Sequence, residues 1–121
     1  MKEITLNWDQ DFKEIIQQFE RILKRITDGT EYYVEINKKD SSRCVNVYKL
    51  GCEKRIAHLW PIKKGQVIHV NVTREIFEQL KGKMPLPEDS DIKKDRYPNW
   101  RAFKNTDYET AISIVEEIVK L

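Results

Sequence analysis

The feature that most constrains this chain is a change of hydrophobic period near residue 30. Before it, Phe12, Ile15, Ile16, Phe19, Ile22, Leu23 and Ile26 recur at spacings of three and four. That spacing places them on one side of an α-helix. Lys13, Glu14, Gln17, Gln18, Lys24 and Arg25 occupy the other side, an ordinary solvated face. Asn7 or Asp9 can cap the start, and Gly29 suits the left-handed residue beyond the end.

From Glu31 the pattern becomes alternation. YYVEIN (32–37), CVNVYKL (44–50), KRIAHLW (54–60) and QVIHVNV (66–72) are short, β-branched and aromatic-rich, and turn residues separate them. Short connections predict an antiparallel meander. TREIFEQLKGKM, led by Thr73 as N-cap, predicts a short helix, and Trp100 to Phe103 a short edge strand. Thr106-Asp107-Tyr108-Glu109 reads as a capping box before a last helix with Ala111, Ile112, Val115, Ile118 and Val119 as its apolar stripe. The expected fold is therefore α+β: one domain over residues 1–121, with an antiparallel sheet of four or five strands packed by an N-terminal helix and C-terminal helices.

The turns suggest registers. Gly51-Cys52 fits a two-residue loop with glycine first, and Gly65 fits a bulge closing the next hairpin. The core face is then Val45, Val47, Ile56, His58, Trp60, Ile68, Val70 and Val72. The opposite face carries Tyr33, Glu35, Asn46, Tyr48, Arg55, Ala57, Leu59, His69 and Asn71. A one-residue slip would instead bring Ala57 and Leu59 to the core side.

Several chemistries find little support. Cys44, Cys52, His58 and His69 do not follow any paired zinc-ligand spacing, so no metal and no cofactor is expected. Eight extended residues span about 26 Å, so the two cysteines are not expected to bridge. In the expected register His58 and His69 point to opposite faces, with His58 a core histidine. No nucleophile or acid stands beside His69 in any recognisable pattern. The strands offer only Glu35 and Glu53, too few for the carboxylate cluster of a metal-dependent nuclease, and the four glycines are too scattered for a phosphate loop. Catalysis is not expected. With no apolar run of about 18 residues and no signal-like start, a cytoplasmic location without membrane association is expected.

The densest functional signal is DRYPNWRAFKN, residues 95–105. Lys93, Lys94, Arg96, Arg101 and Lys104 lie among Tyr97, Trp100 and Phe103, although the whole chain has a formal net charge of only +2. Cations between rings can meet phosphates while the rings stack on bases. The plainer reading is that Trp100 and Phe103 plug a small core while the charges stay in water.

The string CVNVYKLGCEKRIAHLWPIKKGQVIHVNV carries a further signal. Its Tyr48-Lys49 element, the Pro61-Ile62-Lys63-Lys64 turn, the alternating Val67-Ile68-His69-Val70 strand and the helix led by Asp107 resemble a family of small uncharacterised α+β domains described as predicted transport proteins. The resemblance spans about residues 10–120 and rests on structural motifs. It implies a neighbourhood of restriction and DNA-processing modules, and no catalytic residues. The chain is thus expected to be a non-catalytic binding or accessory module. Its partner is expected to be nucleic acid, met by Tyr48, Arg55, His69, Lys94, Arg96, Trp100 and Arg101. The alternatives are a protein-interaction module, including a homodimer, and a small-ligand domain under the 82–99 loop centred on His69, Arg55 and Glu35.

Overall fold

The computed structural model describes residues 6–36, 44–86 and 99–121. Helix α1 (Phe12–Thr27) begins at Asp11, whose carboxylate accepts from the Glu14 N–H at 3.0 Å. The cap is thus Asp11 rather than Asn7 or Asp9. Asn7 caps locally instead, accepting from the Asp9 N–H. The helix ends as expected, with Gly29 in the left-handed region at φ 76°. Ile15, Ile16, Phe19, Ile22 and Leu23 are buried along its inner face.

Five strands follow, with one helix inserted: β1 (Tyr32–Ile36), β2 (Val45–Lys49), β3 (Ala57–Ile62), β4 (Val67–Thr73), α2 (Arg74–Lys81) and β5 (Trp100–Thr106). Helix α3 (Tyr108–Ile118) closes the order. The sheet is antiparallel throughout, with strand order β1-β2-β3-β4-β5. Thr73 caps α2 as anticipated, accepting from the Ile76 N–H. Asp107, not Thr106, caps α3, accepting from the Thr110 N–H at 2.7 Å. Thr106 is buried, and its hydroxyl donates to the Phe103 carbonyl.

The register of β3 departs from the expectation by one residue, and with it the faces of the strand. Val45 pairs with Leu59 and Val47 with Ala57; on the other side Leu59 pairs with Val70 and Ala57 with Val72. Two turns account for this. The chain after Lys49 makes a tight turn with Gly51 at φ 83° and then wanders until Ala57, so the glycine loop is not a two-residue hairpin. In the β3–β4 hairpin both Gly65 (φ 93°) and Gln66 (φ 54°) are left-handed, which lengthens the loop to 63–66 and pairs Ile62 with Val67. Ala57 and Leu59 are fully buried as a result, whereas His58 and Trp60 turn to the opposite face.

Energetics favour this outcome. Burying a leucine side chain contributes about 1.5–3 kcal/mol. The expected register would instead bury the Trp60 indole N–H in an aliphatic layer, costing about 1–3 kcal/mol if unpaired.

The core lies on one face only. Val34, Val45, Val47, Ala57, Leu59, Ile68, Val70, Val72 and Phe103 meet Phe19 and Leu23 of α1, Ile76 and Leu80 of α2, and Ala111, Ile114, Val115 and Ile118 of α3 in one cluster. Helix α1 lies across β1 to β3, while α2 and α3 lie across β4. Among the described residues the helices all cover this face, making two layers. No helix among them is long and apolar enough to cross a membrane.

Candidate functional site

The second face of the sheet carries no helix among the described residues. Successive side chains on a strand alternate between faces, so every residue flanking a core position on β1 to β5 points here. Tyr33 and Tyr48 are cross-strand partners with rings stacked at 5.1 Å. His58 and Trp60 alternate with buried Ala57 and Leu59 and stack at 5.3 Å. Trp60 pairs directly with His69, and their rings lie 4.1 Å apart at an interplanar angle of 8°. Trp100, at the start of β5, meets His58 edge-on at 5.0 Å. Six rings thus form two groups, one on β1–β2 and one on β3–β5.

A polar bridge joins the groups. The Arg55 guanidinium donates to the Asn46 side-chain carbonyl at 3.2 Å and sits 5.6 Å from the centroid of the Trp100 ring. The Asn46 amide donates to the Tyr48 hydroxyl at 3.3 Å, and the Cys44 thiol donates to Asn46 Oδ1 at 3.7 Å. Asn46 is only 5% exposed, so it fixes Arg55 and Tyr48 from below. The arginine is held by a hydrogen bond and a cation–π contact together, which limits its rotamers.

His58 is the most perturbed titrating group of this face. Burial lowers its pKa to about 3, helped by the positive charge of Arg55 and by His69. Its Nδ1 is buried without a hydrogen-bonding partner. It is therefore a neutral ring at physiological pH. Tyr33 is pushed the other way, its pKa raised by desolvation and then by Glu35, so its hydroxyl stays protonated.

A β-bulge shapes the β5 side. Ile68 pairs with Thr106 and Val70 with Phe103, so Lys104 and Asn105 together stand opposite His69, with Asn105 at φ 57°.

The residues expected to form a site divide three ways. Tyr48, Arg55, His69 and Trp100 share the open face. Arg101 does not: it pairs with Val72, a core-side residue, and its guanidinium donates to the Trp100 carbonyl at 2.8 Å. Lys94 and Arg96 lie outside the described residues, as do Lys93, Tyr97 and most of the 82–99 connection. The plug reading of Trp100 and Phe103 divides likewise, since Phe103 is fully buried in the core while Trp100 lies half-buried on the other face.

His58 and His69 were expected on opposite faces, with His58 in the core. They share the open face, and both stack on Trp60. The register implied by the turn glycines puts Trp60 and His58 in the core, whereas the composition of the strand points to the open face. The signal was present in AHLW: small and aliphatic residues alternate there with polar-edged rings. Cys44 and Cys52 are free thiols, as the span between them required.

No protein-family model, curated protein or solved structure matches this chain. The chemistry of the face therefore carries the functional argument.

Proposed function

We propose that this chain is a non-catalytic nucleic-acid-binding module whose binding surface is the open face of the sheet. The observation that carries this reading is the two-group ring array bridged by Arg55 and Asn46. Rings on an open sheet provide stacking surface for bases, and a fixed guanidinium provides a phosphate contact. Charge placement agrees. The strand bearing His58 and Trp60 is preceded by Lys54-Arg55, and Lys104 stands beside His69 across the bulge, whereas Lys63 turns to the helix side and donates to the Gln10 carbonyl. Glu35 is the one acid among the strand residues of this face that the structure describes.

The test is a titration of labelled oligonucleotides, single- and double-stranded, at two salt concentrations. The expected result is binding that weakens as salt rises, because released counterions make phosphate contacts salt-dependent. Arg55→Gln should weaken it. If no oligonucleotide binds at low salt, the reading is wrong and a protein partner or second copy of the chain takes its place.

A further inference from the structure

We infer that the nucleic acid this face takes is single-stranded and is held chiefly through its bases. This rests on the nucleic-acid reading above and specifies its ligand. Duplex recognition needs either an element that enters a groove or a dense row of cations along the phosphates. Among the described residues the open face offers neither. It is a broad strand surface, and the only charged side chains among its described strand residues and at the bridge are Arg55, Lys104 and Glu35. What it offers in quantity is ring surface, which a base can use only after leaving a duplex.

The spacing of the two ring groups suits a strand laid obliquely over the sheet. Neighbouring strands lie about 4.8 Å apart and each residue advances about 3.3 Å, and the register sets Trp60 four residues along from Tyr48, so the Tyr33–Tyr48 and Trp60–His69 pairs are about 10 Å apart across the sheet and about 13 Å along it, roughly 16 Å in all. Two or three bases occupy such an open sheet in the aromatic mode of single-strand recognition. The Arg55 guanidinium, fixed by Asn46 and Trp100, sits between the Tyr33–Tyr48 pair and Trp100, where a connecting phosphate would pass. One of its five donors is used by Asn46. His58, kept neutral by its burial and by Arg55, contributes a ring without adding charge. The Trp60 rings and imidazoles are already stacked in the free protein, so little ordering is needed when a base adds to the stack.

Three labelled probes of about ten nucleotides separate the possibilities: a natural single strand, its duplex, and an abasic strand with the same phosphates. The natural single strand should bind at least about tenfold more tightly than either other probe. Trp60→Leu and Tyr48→Ala should each weaken it by about five- to 150-fold, the range expected for losing one stacked base. Tyr48 lies at the partly exposed end of β2, so its variant keeps the test valid if Trp60→Leu fails to fold. Duplex or abasic binding within about twofold of the natural strand overturns the base-led inference while leaving nucleic-acid binding standing. Failure of all three probes to bind removes the underlying reading as well.

Discussion

His58 makes the stability of this protein depend on pH in a way that can be worked out in advance. Its folded-state pKa is lowered to about 3, because burial and the Arg55 charge both oppose the imidazolium. In the unfolded chain the ring returns to the ordinary value of about 6.5. A depressed folded pKa means that the unfolded state binds the proton more readily. The contribution to stability is therefore fully present above about pH 6.5 and is lost as pH falls toward 3. Between pH 7 and pH 5 the loss from this one group is about 2 kcal/mol, and the slope approaches about 1.4 kcal/mol per pH unit. That is a large share of the margin expected for a domain of this size.

The assay is urea unfolding of the wild type and of His58→Phe at pH 7, 6 and 5. Phenylalanine keeps a ring against Trp60 and Trp100 but cannot titrate, and it removes the unpartnered Nδ1. The variant should match or exceed the wild type at pH 7 and gain on it by about 2 kcal/mol at pH 5. The remaining ionisable side chains are common to both proteins, so their contributions largely cancel in the comparison. Parallel stability–pH curves would refute the reasoning, because His58 would then have the same proton affinity folded and unfolded.

Two further outcomes test the fold itself. Phe103→Ala should lower stability by about 3–5 kcal/mol in urea unfolding, since it empties a fully buried position shared by β5 and the Phe77 ring. Asp107→Ala should cost about 1 kcal/mol at pH 7 by removing the α3 cap. The Thr110 hydrogen bonds hold the Asp107 carboxyl below its ordinary value, so the cap acts fully above about pH 4 and the difference should narrow only below it.

Helix positions were legible because a run of seven apolar residues at helical spacing has few other uses, and Gly29 and Thr73 behave as their chemistry predicts. Strand existence was equally plain. Register was not. It depended on whether Gln66, a residue with no special claim to positive φ, joined Gly65 in the left-handed region. The bulge at Lys104 and Asn105 has the same origin, since Asn105 is again a non-glycine at positive φ. Local sequence does not determine such choices; the demand to bury Leu59 and Val70 together does. The open-face positions of Tyr48, Arg55, His69 and Trp100 follow from alternation or residue type, whereas only nearness in the chain links Arg101 to them, and its pairing with Val72 puts it on the other face.

That single register step also decides the character of the open face. Were β3 set as its glycines suggest, Ala57 and Leu59 would lie beside Asn46 and His69, and the face would be a thin mixture of aliphatic and polar groups. With β3 as observed, His58 and Trp60 stand there instead, next to His69 and Trp100. The same residue pair that would destabilise the core becomes the centre of the ring array. Burial of Leu59 and construction of the array are thus one event, because side chains on a strand cannot change faces independently. A substitution that shifts this register should therefore damage core packing and ligand binding together, whereas Tyr48→Ala, on the neighbouring strand, should separate them.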